Sequence, residues 1–469
     1  MTKPRRIYLL SPRDLSPETI AVAFAKTSRS PEAFDVIAAE LTDARAAKFH
    51  EKWVVGYGHA SVAEHAVLHL ALENVSRLAI ETIEGNRLAS YTEKSTRYQQ
   101  WDVDAFYFPE ELKGQPLEEK FSQTCHNLFE TYQLCISRVQ DWLRKTTPQS
   151  PEESDVTYER RIKPASVDIC RFLLPAASLA NVGVTINARS LEYAICKMLS
   201  SPLDEVRQIG EWVLKVGKAE APTLIKYAGC NAYLIKTTEK MSLQAEKVQP
   251  VPSCDFTLVD YDDDGEEKIL AAILFRFSPE ASFEACQSYI RQLDNSGRQA
   301  LVQELMAERG PFDQPIREFE YAQMTFEAVM DQGAYFEFKR HRMMTQTVQP
   351  LTALLGYAVP RGIIEAGCEV AYREAMDQAE SLYNELWAFN TDLAGYIIPN
   401  GFNRRVLFTL NMREAFTLCR LRAAENAHFS IRRVALKMIE AISGIYPSLA
   451  SFMTIPDGVA WQDIDKDYF

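Results

Sequence analysis

The sequence of 469 residues holds nine Cys but no Cys-x-x-Cys pair. Scattered, odd in number and unpaired by spacing, they read as reduced thiols, which excludes a disulfide framework and a zinc site and points to the cytoplasm. No stretch reaches the roughly 18 uncharged apolar residues of a membrane span, and no signal-peptide apolar run follows Met1-Thr2-Lys3-Pro4-Arg5-Arg6. A Gly-rich phosphate loop, a Ser/His/Asp arrangement and a nucleophile elbow are all missing. Positive charge is in deficit: 51 Lys and Arg stand against 64 Asp and Glu, a formal net charge of -13. That argues against non-specific binding to nucleic acid or membrane surfaces, yet leaves room for a local basic pocket around an anionic ligand.

What is present is an ordinary globular composition, 47% hydrophobic and 25% charged. The length allows roughly two to four domains. The chain also repeats itself. Ile7-Tyr8-Leu9-Leu10, read as a strand, precedes an apolar run and Ser30-Pro31-Glu32. Phe256-Thr257-Leu258-Val259, also read as a strand, precedes an apolar run and Ser278-Pro279-Glu280. Gly58-His59-Ala60-Ser61 leads into a segment over 62–82, and Pro311 opens a similar one to Phe338. The spacing of apolar residues predicts a helix in both. Pro175 and Pro399 are 224 residues apart, and so are the Asn-x-Arg pairs at Asn187/Arg189 and Asn411/Arg413. A shared offset of this kind marks an internal duplication far longer than a solenoid repeat. The boundary falls near residue 245, before a linker at Pro250 and Pro252, so residues 1–245 form a first copy and 246–469 a second. Glu118 to Arg144 and Val370 to Phe389 are predicted helices. The class is α+β, helix-rich, with a few strands per copy.

Two polar stretches stand out. In Asn86 to Tyr98, Ser95 and Arg97 are two residues apart and share a side if the segment is extended, so they would make an anion clamp. Glu93 could hold that Arg or accept from a ligand. In the second copy Arg340-His341-Arg342 sets three basic side chains in a row, able to touch several phosphates of a nucleotide or flavin at once. Asn411 and Arg422 lie 11 residues apart, about three helical turns, and so fall on one face with Ala415 and Leu418. His59, His65, His69 and His428 lack ligand spacing to Cys or acidic partners and read as structural, with His65 also able to pair with Glu64 or a cofactor. The residues alone support a duplicated protein with basic, anion-binding pockets.

Together these motifs resemble the flavin-dependent thymidylate synthase family. Its signature runs Arg-His-Arg, two apolar residues, Ser, then Glu-x-Ser-x-Arg-Tyr, with a later helix carrying Asn-x-Arg and Leu-Arg. The first copy keeps Ser90, Glu93, Ser95, Arg97, Tyr98, Arg171, Asn187 and Arg189, but has Gly85-Asn86-Arg87 for Arg-His-Arg and Met198 for the helix Arg. The second keeps Arg340, His341, Arg342, Asn411, Arg413 and Arg422, and Ala427 to Arg432 echoes the family's Ala-Gln-x-Glu-Ile-Arg. It has Val348, Pro350 and Thr352 at the Glu-x-Ser-x-Arg positions, Gly395 opposite Arg171, and Glu337 where a Gln is usual. The losses are complementary.

The resemblance implies a tandem fusion of two diverged copies in which half-sites combine. It implies reductive methylation of dUMP to dTMP with FAD as cofactor and NADPH and methylenetetrahydrofolate as co-substrates, without a protein nucleophile or a metal. Carried over, Glu93, Ser95, Arg97, Arg171, Arg340, Glu337 and Arg422 would bind the nucleotide. Arg422 and Arg340 would polarise the uracil, with Ser95 beside them. Arg340, His341, Arg342, Asn411, Arg413, Ser61 and Glu64 would hold FAD. Two chains would pair as a homodimer, a pseudo-tetramer of copies. A nucleotide-binding pseudoenzyme and a flavoenzyme for another pyrimidine nucleotide are the alternatives.

Overall fold

The structure, a computed structural model, describes residues 6–28, 30–56, 60–251, 254–453 and 458–469. Gly58, His59 and Pro252, singled out above, lie outside the described residues. The architecture is α+β, with many helices around two small antiparallel sheets. The chain divides into two compact units, and they do not follow a single cut in the sequence. Unit 1 comprises residues 1–94, 105–118 and 177–250; unit 2 comprises 95–104, 119–176 and 251–469.

Unit 1 is built on three strands, β1 (Val67–Ser76), β2 (Ala89–Glu93) and β3 (Leu179–Asn187), in the order β1-β3-β2. Alternate residues of β3, Ala180, Val182, Val184 and Ile186, point into a core shared with Ile195, Val206 and Val213 of the helices Ala188–Leu199 and Asp204–Glu220. Unit 2 carries β4 (Phe256–Tyr261), β5 (Gln323–Asp331), β6 (Thr345–Val348) and β7 (Asn403–Asn411), ordered β4-β5-β7-β6. Its helices include Asp155–Cys170 from the first half of the chain and Gln332–Phe338, Met412–Arg422, Phe429–Ile445 and Trp461–Tyr468 from the second.

The duplication is visible inside each unit. In unit 1 Val67 pairs with Asn187 and Ser90 with Thr185. In unit 2 Gln323 pairs with Asn411 and Thr345 with Thr409. Asn187 and Asn411 both end their strand by capping the next helix, accepting from the backbone N–H of Ser190 and of Glu414, each at 2.9 Å.

Three expectations fail. The helix over 62–82 is a short 3₁₀ turn (Ala60–His65), strand β1, and only then a helix, Arg77–Ile83. The segment to Phe338 follows the same plan through β5. Leu68, Leu70 and Leu72, and Met324, Phe326, Ala328 and Met330, alternate with period two, which is the strand signal inside a run that also suits a helix. Residues 7–10 form no strand; Ile7 and Leu9 are exposed, whereas Phe256–Tyr261 pairs with β5. The helices predicted over 118–144 and 370–389 are present as Glu118–Thr146 and Glu369–Phe389.

Candidate functional site

The centre of unit 2 is a cluster of guanidinium groups around one carboxylate. Glu337 lies on the short helix Gln332–Phe338, which Asp331 caps by accepting from the N–H of Ala334 at 2.8 Å. The Glu337 side chain is 7% exposed. Its Oε1 is 3.4 Å from Arg171 Nη2, and its Oε2 is 3.2 Å from Arg422 Nη1 and 3.8 Å from Arg97 Nη1. Arg97 and Arg171 come from the first half of the sequence, Arg422 and Glu337 from the second.

Each guanidinium is held by further partners. Arg97 forks onto Asp168, with Nε at 3.0 Å from Oδ1 and Nη2 at 2.8 Å from Oδ2, and Nη2 also donates to the Asn426 carbonyl at 3.2 Å. Arg171 donates to the Gly333 carbonyl at 3.1 Å. A Cβ on Gly333 would crowd this contact, at 3.3 Å from Arg171 Nη2 and 3.0 Å from Asp331 Oδ1. Burial works against the charge on Arg97, but Asp168 and Glu337 outweigh it and raise its pKa. Arg422 goes the other way: burial lowers its pKa, Glu337 opposes, and the like charges of Arg340 and Arg97 add to the fall. Four guanidiniums, with Arg340 exposed at the edge, thus face two carboxylates.

Two imidazoles border the cluster, both neutral. His341 accepts from Arg422 Nε at 3.0 Å on Nε2, so Nδ1 bears the proton toward Glu414 Oε1 at 3.3 Å. Burial lowers the His341 pKa, offset in part by Glu414. His428 accepts the Ser430 N–H on Nδ1 and directs Nε2–H to the Asp168 carbonyl at 3.2 Å. Burial, then the charge of Arg171, hold its pKa well below the usual value. Ser430 in turn donates to the buried Asp331 carboxylate, whose pKa burial raises.

Of the residues singled out from sequence, Arg97, Arg171, Glu337, His341 and Arg422 meet around this cluster, with Arg340 at its edge. Ser95 is close in sequence but differently arranged. It begins a turn rather than an extended run, and its Oγ accepts the Arg97 N–H at 3.2 Å. Glu93 does not hold Arg97. It is buried in unit 1, 2.9 Å from Arg77. Arg413 is engaged by Glu320 and the Pro315 carbonyl, each at 2.8 Å, and the Asn411 side-chain oxygen by its helix cap. Arg342 is half-buried in the turn before β6. Ser61 and Glu64 belong to unit 1 and line a cavity of about 420 Å³ with Phe24, Phe49, Trp53 and His65. Glu64 also pairs with Arg189 at 2.5 Å. His69 lies on β1, not a helix, against Thr185 Oγ1 at 2.9 Å.

Sequence reasoning missed Asp168 and passed over His428. The available signal for Asp168 was its position three residues before Arg171 on a helix, one turn away on the same face. All nine Cys are free thiols, and no group of His, Cys, Asp and Glu among the described residues could hold a metal ion. Among the described residues no helix is long and apolar enough to cross a membrane.

The cluster draws its side chains from both halves of a duplicated α+β chain, with four guanidiniums against two carboxylates. The family model described as thymidylate synthase complementing protein, Thy1, matches residues 11–223 and again 257–448. The chain belongs to this family and carries its domain twice. It is 30% identical over 437 residues to a UPF0159 protein of Chlamydia muridarum, covering 89% of this chain and 82% of that one. A UPF0159 protein of Thermoplasma acidophilum is 28% identical, over 88% of this chain and 89% of its own. A flavin-dependent thymidylate synthase of Sulfolobus acidocaldarius is 31% identical over 226 residues, 46% of this chain and 74% of that protein.

Proposed function

We propose that the protein is a cytoplasmic flavin-dependent thymidylate synthase that converts dUMP to dTMP at sites built from complementary halves of its two copies, 1–245 and 246–469. The observation that carries this reading is the convergence of Arg97 and Arg171 with Arg422 on Glu337 inside one compact unit. Arg97 and Arg171 bind the nucleotide phosphate, with Ser95 ordering the turn that presents Arg97. Arg422 and Arg340 face the uracil and stabilise the negative charge that develops on its oxygens, a task suited to a fixed guanidinium that keeps its proton. Neutral His341 accepts from Arg422 and so sets its orientation.

The donor set fits a flavin in part. Arg340 and Arg342 offer cationic groups for its phosphates, while His341 between them has both ring nitrogens engaged, by Arg422 and Glu414; Ser61 and Glu64 line an aromatic cavity of unit 1. Asn411 and Arg413 act in this reading by holding the helix and turn around them. When bound, FAD reduced by NADPH supplies the hydride, and methylenetetrahydrofolate the one-carbon unit, that replace the uracil C5 hydrogen by methyl. Two chains form a homodimer.

The test is the visible spectrum of the purified protein titrated with FAD and then dUMP, followed by dTMP analysis after adding NADPH and methylenetetrahydrofolate. The reading expects flavin bands near one FAD per chain, perturbed by dUMP, and dTMP formation lost in Arg97→Ala and Arg422→Ala. Flavin binding without dTMP would leave a pseudoenzyme; response to another pyrimidine nucleotide only would change the substrate. A protein indifferent to all three ligands would refute the reading.

A further inference from the structure

Within unit 2, beside the arginine cluster, lies a cleft of about 400 Å³. The helix Glu118–Thr146 lends it Gln133, Ser137 and Gln140, one residue per turn on a single face. Lys163 comes from the helix Asp155–Cys170, and Tyr98 and Gln100 from the segment that follows Arg97. Ile136 and Val167, both buried, form the floor. Tyr98 and Val167 are the chain neighbours of Arg97 and Asp168, so the cleft lies against the fork that those two make.

No carboxylate lines the cleft. Its one charge is Lys163, which is exposed and pairs with no carboxylate among the described residues. Glu159, one helical turn earlier, is taken by Arg144 at 3.2 Å, and Arg160 adds a second exposed cation on that turn. The rest of the polar lining is amide and hydroxyl. Gln140 donates to Ser166 Oγ at 3.2 Å and Gln133 to the Trp101 carbonyl at 3.4 Å, which leaves both amide oxygens able to accept. The side chains of Gln100 and Ser137 have no partner among the described residues. Tyr98 is 63% exposed, with the Arg97 guanidinium 5.9 Å from its ring centroid. An uncompensated cation, amides that both donate and accept, and an open aromatic ring suit a ligand with a carboxylate, an amide link and a flat apolar group.

We infer that this cleft binds an N-aroyl amino acid, with its carboxylate on Lys163, its amide on the glutamines and its ring against Tyr98. The tail of a folate is such a group, and a free acyl amino acid carries the same chemistry. The link to a folate rests on the function proposed above, in which the one-carbon donor works beside the arginine cluster. The binding itself depends on neither flavin nor dUMP.

The experiment uses the full chain and two matched probes, hippurate and its neutral amide hippuramide, with binding followed by calorimetry and ligand-observed NMR. At low ionic strength hippurate is expected to bind about threefold to fivefold tighter than hippuramide, the gap that one exposed ammonium supplies, and added salt should narrow it. Lys163→Gln should erase the gap and leave hippuramide binding unchanged. Ser137→Trp, which fills the cleft from the exposed face of its helix, should abolish binding of both probes while the circular dichroism stays native. Failure of hippurate to bind, equal binding of the two probes, a preference that survives Lys163→Gln, or binding that persists in the filled variant would overturn the inference. Displacement of hippurate by tetrahydrofolate would assign the cleft to the folate tail. Hippurate binding that tetrahydrofolate leaves untouched would support the site with a free acyl amino acid as its ligand, and would leave the proposed thymidylate synthesis to its own test.

Discussion

Glu337→Gln separates the two roles that the central carboxylate plays. In the folded chain it compensates Arg97, Arg171 and Arg422, whose side chains are 19%, 2% and 16% exposed. At an effective dielectric near 20, a charge pair at 4 Å is worth about 4 kcal/mol, and removing one partner of a buried pair costs about 3–5 kcal/mol in full. The Gln amide keeps the shape and one acceptor oxygen, so the net loss should be about 1–3 kcal/mol, read as a fall in melting temperature of roughly 1–4 °C. The same carboxylate repels an arriving phosphate. Its removal should tighten binding of dUMP or inorganic phosphate by about tenfold, the equivalent of about 1.4 kcal/mol of Coulomb repulsion, which the neighbouring guanidiniums partly offset. The two effects are linked: millimolar phosphate should restore the melting temperature of the variant and do little to the native protein. Calorimetry of phosphate binding and thermal melts with and without phosphate measure both. A variant with unchanged phosphate affinity, or one whose loss of stability ignores phosphate, would show that Glu337 is not an internal counter-ion for the anion site.

Asp168→Asn should weaken the fork on Arg97 and the contact with Arg171, costing about 1–3 kcal/mol of stability and lowering dUMP affinity at least as much as Arg97→Lys, measured by melts and titration. Asp331→Ala should cost about 2–4 kcal/mol, because it strands the Ala334 N–H and the Ser430 hydroxyl in a buried setting, while Asp331→Asn should keep much of that; denaturant unfolding checks the pair. Burial holds the pKa values of His50, His341 and His428 below 6.5. Below that pH the unfolded chain takes up protons that the folded chain refuses, so stability should fall as pH drops from about 6.5. His428→Gln should make that fall shallower. Gly401→Ala should destabilise by about 1–3 kcal/mol through overpacking, since its Cβ would lie 2.8 Å from the Tyr372 hydroxyl and 3.2 Å from Phe172 Cβ.

The amino-acid sequence by itself was enough for the duplication and for singling out most of the charged residues that meet around Glu337. Arg171, Arg340 and Arg422 stand in local patterns that a constant offset and helical spacing expose, and the helix face of Ala415 and Leu418 is buried as the periodicity requires. It was not enough for β1 and β5. Their alternation is period two over nine or ten residues only, embedded between turns and a following helix, so both periods fit a single window. Nor could it assign Glu93 and Arg97, four residues apart, to different carboxylate and guanidinium partners in different units, because the chain turns between them at Ser95. Tertiary structure alone decided that residues 95–104 and 119–176 fold with the second half, and therefore that Asp168 meets Arg97 and that three guanidiniums from distant segments close on Glu337. Local pattern records what one helix or strand must bury. Which charges neutralise one another depends on contacts across hundreds of residues, and no periodicity encodes them.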